Sequence, residues 1–330
     1  MENEFRSLVK LLESQVQEAH TASFDVSNQR ARNHRMYNME PLGNEVKGRS
    51  RYISPDVQDA VESKKAIFAE TFLSDRDAVR FSGSKVPFED DAKTAYVNAT
   101  LRKNNYERLF RDAFHDAFVA KRCVVLADWV ASTKTETVDI QGADPQQYQA
   151  ILQQHNPTQV FDENIVTDPN GMLFGTVDIE KDDSSIELTL VSPERYHRDP
   201  NSSYPGDAMF VTMEQDLTRA RMLMDGYDPE QVNELSTDYR FRNQDEDSSR
   251  RQHDGTYQKL KHHNRTGVHE IVTVYRTWTW LDAGTINDDP QYVADEVKLF
   301  EVHWSCGEVL RWKDGAPAMR EVDEIPFFEW

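Results

Sequence analysis

Cysteine is almost missing from this chain of 330 residues. Cys123 and Cys306 are too few for a disulfide framework or a CxxC metal pair, and their scarcity fits a reducing compartment. Cys123 lies in the apolar run CVVLADWV and reads as a small buried hydrophobe. Long hydrophobic runs are missing too. None approaches the roughly 18 apolar residues of a membrane span. The start, MENEFRSLVKLLESQ, lacks the basic region and apolar stretch of a signal peptide, so no membrane partner is expected. Positive charge is in deficit: 38 lysines and arginines face 58 aspartates and glutamates, a net charge of −20. Gripping nucleic acid by its phosphates takes a basic excess, so that mode is disfavoured. Plain repulsion would still let a polyanion pass without sticking.

Motifs that carry chemistry are scarce as well. There is no GxxxxGK[ST]; SGSK at 82–85 lacks the first glycine at the needed spacing. GxGxxG, GxSxG and HExxH do not occur. No cofactor is therefore expected. His262 and His263, with His253 and His269 nearby, lack a cysteine or spaced carboxylate to complete four metal ligands, and a solvated loop is the simpler reading. DPNG at 168–171 starts like a calcium loop but lacks the later acidic positions, so a turn is expected. Carboxylates are too many for any pair to stand out as a general acid and base, and no catalytic residue is assigned.

What is present is α-helical at first and β-rich later. Hydrophobic residues make up 38% and aromatics 10%, enough for a core and too many for a disordered chain. Phe5, Leu8, Leu12, Val16 and Ala19 fall on one helical face. A second, more polar helix is expected over about 26–37. Ser54, Pro55 and Asp56 read as the cap and first turn of another, with Val57, Val61, Phe68 and Phe72 as its apolar stripe. AVRFSGSKVPFEDD reads as a short strand and loop. A long helical region follows from Glu89, with a break or kink at Asn104 and Asn105.

After Lys121 branched residues and Trp mark strands. A polar helix is expected near 144–154. GMLFGTVDIEKDDSSIELTLVSPERY reads as a hairpin turning at KDDSS. DAMFVTMEQ is a strand; a helix then stops at Gly226, and another starts with Asp228 as N-cap and Pro229 next. VHEIVTVYRTWTWLDAG and VKLFEVHWSCGEVLRW read as a strand and its hairpin partner. The Trp and Tyr residues of YRTWTWLD could stack on bases, but at period-two spacing a sheet core is favoured. The fold class is α+β, an N-terminal helical segment (1–121) packed on a mostly antiparallel β-rich unit (122–330), with a mobile charged loop at 238–267. The final EVDEIPFFEW is unusually aromatic and is expected to dock, and the chain is expected to continue past Trp330.

One stretch is denser than the rest: YNMEPLGNEVKGRSRYISPDVQDAVE, residues 37–62. Glu40-Pro41-Leu42-Gly43 suits a type I turn, and Gly48 gives a second point of backbone freedom. Gly43 and Gly48 could offer N–H groups to an anion, but no Lys-Ser/Thr follows at a helix start. Arg30, Arg32, Arg35, Lys47, Arg49 and Arg51 form the most basic cluster of the chain. They could meet DNA phosphate or an acidic neighbour; local charge balance against Glu40 and Glu45 is favoured.

This stretch resembles the N-terminal signature of portal proteins of short-tailed bacteriophages. Tyr37, Asn38, Glu40, Gly43, Asn44, Glu45, Gly48, Arg49, Ser50, Asp56 and Val57 carry it. A second segment, LTLVSPERYHRDPNSSYPGDAMFVTMEQDLTRARMLMDGYDPEQVNEL, is similar to a family segment in which a strand leads to a Pro-Glu turn, an aspartate and a Gly-Tyr-Asp helix junction. Pro193, Glu194, Asp199, Ala208, Phe210, Val211, Gly226, Tyr227 and Asp228 match there. The strand run ending in IPFFEW is similar to the close of the family's N-terminal half. Met39 and Leu42 depart from the usual glycine and aromatic, and ESKKAIFAETF lacks the Trp and Pro many members carry.

The resemblance implies a structural part without catalysis, cofactor or metal: the wing half of a head-tail connector, without its stem, clip and crown. It implies a dodecameric ring at one capsid vertex of the virion, assembled in the host cytoplasm. It implies partners in the major capsid and scaffolding proteins, the terminase large subunit, the tail adaptor or head-completion protein, and dsDNA passing without sequence specificity. From the residues alone, a hydrolase with an Asp/Glu site or another virion or adaptor protein stays open.

Overall fold

The stripe of Leu8, Leu12 and Val16 needs an apolar surface to cover it, and in a computed structural model that surface is a β-sheet. The structure describes residues 5–41, 48, 52–74, 77–83, 87–155, 157–169, 171–237, 241–251, 267–286 and 297–330. Helix α1 (Arg6–Tyr37) is one uninterrupted helix of 32 residues, about 48 Å long at 1.5 Å per residue. The second helix expected over about 26–37 is thus the continuation of the first. The polar second half stays helical because its inward side chains bury against other polar groups, described below.

Helix α2 (Asp56–Leu73) follows. The Ser54 hydroxyl does not cap it; it donates to the Asp56 carboxylate at 2.7 Å. Residues 77–83 form no strand: the Val79 and Phe81 N–H groups bond the Asn98 and Thr94 side chains of α3 (Pro87–Lys103). Helix α4 (Tyr106–Ala120) starts after the expected break, where Asn105 takes a left-handed conformation at φ 50° and the Asn104 amide bonds Thr100 and Ile186 carbonyls.

The strands are β1 (Val124–Val130), β2 (Thr133–Ala143), β3 (Gln159–Thr167), β4 (Leu173–Asp182), β5 (Ser185–Val191), β6 (Tyr196–Arg198), β7 (Phe210–Thr218), β8 (Ile271–Asp282), β9 (Val297–Ser305), β10 (Glu308–Val309), β11 (Met319–Glu321) and β12 (Phe327–Glu329). Among them lie α5 (Pro145–His155), α6 (Arg219–Met224), α7 (Pro229–Glu234), α8 (Gln244–Arg251) and α9 (Ala283–Ile286). All described pairings are antiparallel. The largest sheet runs β10-β9-β8-β7-β6, with β11 also on β9. A second runs β12-β1-β5, and a third β2-β4-β3.

The expected hairpin at KDDSS is not formed. β4 pairs with β2 and β5 pairs with β1, in register on either side of a bend: Thr133 faces Asp182, and Val130 faces Ser185. The Asp183 N–H bonds the Ser132 carbonyl across it at 2.8 Å. The chain therefore makes one long two-stranded ribbon, bent in the middle. Its outer half carries β3 and α5 as an arm with its own small core of Ile140, Val177 and Ile179 against Tyr148, Ile151 and Leu152.

The main core is layered. On one face of the large sheet, Tyr275, Val302 and Trp304 pack with Leu8, Leu12 and Val16 of α1. On the other, Val211, Trp278 and Leu299 pack with Val124, Leu126 and Phe327 of the second sheet. The aromatics of YRTWTWLD are thus largely core, with Tyr275 stacked on Trp304 at 4.5 Å. Strand β12 docks the aromatic end on β1, burying Phe327 and leaving Phe328 and Trp330 exposed.

Part of the segment expected as a mobile loop is instead an ordered helix. Residues 241–251 contain α8, which packs on α1 with Arg242, Glu246 and Ser249 buried. Helix α8, QDEDSSRR, has no apolar side chain, so periodicity could not mark it as core. Residues 238–240 and 252–266, with His253, His262 and His263, lie outside the described residues.

Candidate functional site

The two signature stretches meet around α8. Tyr37 and Asn38 end α1, and the Asn38 amide donates to the Ser249 carbonyl at 3.2 Å. The Glu40 N–H reaches back to the Arg35 carbonyl, and the Met39 N–H to that of Met36, the doubly bonded helix ending that needs a left-handed residue. Met39 supplies it at φ 56°. Of the remaining residues of this signature, Gly48 has φ 91° and Asp56 opens α2. Gly43, Asn44, Glu45, Arg49 and Ser50 lie outside the described residues, as do Leu42, Lys47, Arg51 and hence most of the expected turn.

In the second stretch Pro193 and Glu194 form a single 3-10 turn and are both buried. Asp199 closes the next turn by accepting from the Asn201 and Met209 N–H groups. Glu194 joins His34, Tyr37 and Asn38 on the wall of a cavity of about 550 Å³, with Asp116 and Arg250 beside them. The third cluster lies apart from these. Gly226, at φ 94°, ends α6; the Asp228 carboxylate caps α7; Tyr227 stacks on Trp312 at 4.8 Å and bonds His303 at 2.5 Å.

Charges hold α8 in place, while its approach is also anchored by Phe241 packed on Tyr275 and Trp304. Arg242 meets Asp216 at 2.8 Å, Glu214 at 3.5 Å and Asp247 at 3.7 Å. Burial alone would lower the pKa of its guanidinium, but these carboxylates turn the shift upward. Glu246 accepts from Ser27 at 2.5 Å and lies 3.6 Å from Arg30. Burial pushes its carboxyl up to about 7, and Arg30 and Ser27 offset only part of that. Arg250 donates to both Asp116 oxygens at 2.7 Å and lies 3.8 Å from Glu194. Burial raises the Asp116 pKa despite that pairing. His34, buried among Arg250, His115 and Arg30, is pushed down to about 3 and is neutral at pH 7.

The basic cluster is thereby resolved where it is described. Arg30 pairs with Glu246, and Arg35 with Ser249 and Asp245. For Arg30 and Arg35 charge balance is thus found against α8, distant in sequence; Glu45, Lys47, Arg49 and Arg51 lie outside the described residues. Acidic and basic positions of this kind cannot be matched from spacing, because their partners are brought in by the fold.

A second buried set ties the sheets together. Glu301 lies between Arg276 and Arg320, each at 2.5 Å, and His303 at 3.0 Å. Burial works against its charge, but the His303 hydrogen bond and both guanidinium groups hold the carboxyl well below the usual range. At the chain's end, Glu329 is clamped by Arg122 at 2.9 Å and Arg198 at 2.7 Å.

These groups pair chiefly with one another, leaving Glu194 Oε2, Glu246 Oε1 and Arg250 Nη1 buried without a hydrogen bond, and the pairing suits fixing elements more than acting on a substrate. Cys123 is buried and its thiol is pushed up to about 12. Among the described residues, no group of three or more His, Cys, Asp or Glu is placed to hold a metal ion, and no helix is long and apolar enough to cross a membrane. What the surface offers is apolar area on α2 and on the arm. A family model described as Phage SU10 portal protein matches residues 8–330. No curated protein matches the chain.

Proposed function

The chain belongs to the Phage SU10 portal protein family, and from that membership we propose that it is the wing side of a ring-forming portal subunit. The match over residues 8–330 carries the reading. In this proposal twelve copies close a ring at one vertex of the virion capsid, assembled in the host cytoplasm. Such closed rings arise from heterologous contacts between unlike faces. The ring conducts dsDNA in and out, meets the major capsid and scaffolding proteins during assembly, docks the terminase large subunit, and later binds the tail adaptor. The subunit performs no covalent step.

Two features of the chain support this. The net charge of −20 repels a polyanion and avoids the counterion release that would hold DNA in place. The signature residues Tyr37, Asn38 and Glu194, with Asp199, Gly226, Tyr227 and Asp228, serve turns, caps and buried contacts, and we assign them a structural role. The two-part division at 121/122 belongs to the same proposal.

Electron microscopy of the purified protein tests the ring. Closed rings of about twelve subunits are expected from cyclic assembly, and a lone monomer at every concentration tried counts against the reading. Titration of labelled duplex DNA tests the conduit: no tight binding is expected at physiological salt, and sequence-specific retention would refute it.

A further inference from the structure

Helix α8 is docked without an apolar side chain, since none of its eight residues, QDEDSSRR, is hydrophobic. Glu246 holds Ser27 and Arg30 of α1, and Ser249 holds Arg35 and Asn38. Arg250 holds Asp116 of α4 and Glu194. Burial of apolar surface drives most elements against their neighbours, and the side chains of α8 add none. Just before the helix the character changes. Phe241 packs on Tyr275 and Trp304, and Arg242 meets Asp216 at 2.8 Å. Asn243 stands between the two parts. Its side-chain oxygen accepts from the Asp245 N–H, and its carbonyl from the Asp247 N–H. The chain is thus anchored by packing up to Arg242 and held by polar groups alone after it.

The docked face is imperfectly matched. Glu246 Oε1, Arg250 Nη1, Glu194 Oε2 and His34 Nε2 are buried without a hydrogen bond. Each of them meets water when α8 lifts away, which offsets part of the ion pairing that is lost. The charges do not balance either. Three carboxyl groups, of Glu246, Glu194 and Asp116, face two guanidinium groups, of Arg30 and Arg250. His34 beside them is neutral at pH 7, its pKa pushed down to about 3 by burial. On the other sides, Asp245 meets Arg35 near the surface, and Asp247 meets Arg242, which Asp216 and Glu214 share. One negative charge is left over in the inner cluster, and a proton on one carboxyl cancels it.

We propose that α8 is a clasp that pivots at Asn243, closing on α1 and α4 when this carboxyl cluster holds a proton and opening as a unit when it does not. Glu246 is the group that takes the proton. Burial raises its carboxyl to about 7 and Glu194 adds to that rise, against Arg30, Ser27 and Arg250. Protonation therefore favours the closed state fully below about pH 4.5, and the preference is lost as pH rises through about 7. Opening removes the wall that Arg250 gives to the cavity of about 550 Å³. The clasp thus ties access to that cavity to pH. It belongs to a single subunit and holds whether or not copies close a ring.

Amide hydrogen exchange of the full 330-residue chain, read by mass spectrometry between pH 5 and 8, tests the clasp. Rates are corrected for intrinsic exchange at each pH. At every pH the amides of Ser248, Ser249 and Arg250 are expected to open at least roughly 100-fold more often than those of β8. Their opening is expected to grow on the order of 50-fold from pH 5 to pH 8, levelling off above about pH 7. Glu246→Gln keeps the shape without the charge, and it is expected to hold α8 closed at pH 8 and flatten most of that rise. Amides of α8 that open only as often as those of β8 show that the helix leaves only with global unfolding, and overturn the clasp. A wild-type profile without the rise, or a rise that Glu246→Gln leaves in place, overturns its control by protons.

Discussion

Met39 occupies the one position at the end of α1 where the backbone must turn left-handed, at φ 56°. A side chain there crowds the following carbonyl by roughly 1–2 kcal/mol, a cost glycine avoids. Portal relatives resembling this stretch commonly carry glycine here, and the helix ending gives the physical reason. Met39→Gly is expected to raise stability by about 1 kcal/mol, part of the gain being offset by glycine's freer unfolded chain. Chemical denaturation should show a higher midpoint at unchanged slope. Glu246 makes a different residue-level case. Its folded carboxyl titrates near 7, above the ordinary 4.5, so the protonated form favours the folded state. That contribution is full below about pH 4.5 and is lost as pH rises through about 7. Glu246→Gln should remove it, so wild type and variant should diverge by about 3 kcal/mol between pH 5 and 8, the variant being the less pH-sensitive.

At the level of elements, local rules read well wherever an element is fixed by its own residues. The stripe of α1, the break at Asn105, the stop at Gly226 and the cap at Asp228 all stand as the sequence indicates. Elements defined by distant partners were not legible. Alternation in β4 and β5 looks the same whether they pair with each other or with β2 and β1, so the bent ribbon reads as a hairpin. Helix α8 has no apolar residue to signal burial, and only the fold brings Arg30, Asp116 and Glu194 to it. Of the candidate residues, the stop at Gly226 and the cap at Asp228 were legible, and the meeting of Tyr37, Asn38 and Glu194 at one cavity was not. The arm offers an element-level prediction at Gly175, where φ is 140° and an added Cβ would lie 2.1 Å from the Asn164 carbonyl oxygen. Backbone meets backbone there, beside the irregular register of β3. Gly175→Ala should therefore cost on the order of 3 kcal/mol and strip hydrogen-exchange protection from β3 and β4, leaving the large sheet protected.

The whole molecule is less divided than its sequence. Leu8, Leu12 and Val16 from the first 121 residues complete the core of a sheet whose strands all follow residue 195. Leu12 is fully buried there, and Leu12→Ala should cost about 2–5 kcal/mol. If α1 and the large sheet form one cooperative unit, helix loss by circular dichroism and exposure of Trp304 by fluorescence should shift to the same lower midpoint. Two separate transitions would instead mark the helical segment and the β-rich part as independent.

The bent ribbon also has a mechanical consequence. Both strands cross from the large body into the arm, hydrogen-bonded to each other on either side of the bend. A pull along the strands loads those bonds together, in shear, and the attachment resists as a whole. A sideways push loads mainly the short stretch around Ser132 and Asp183, where one backbone bond spans the bend. The arm is thus tethered stiffly against extension and softly against tilt.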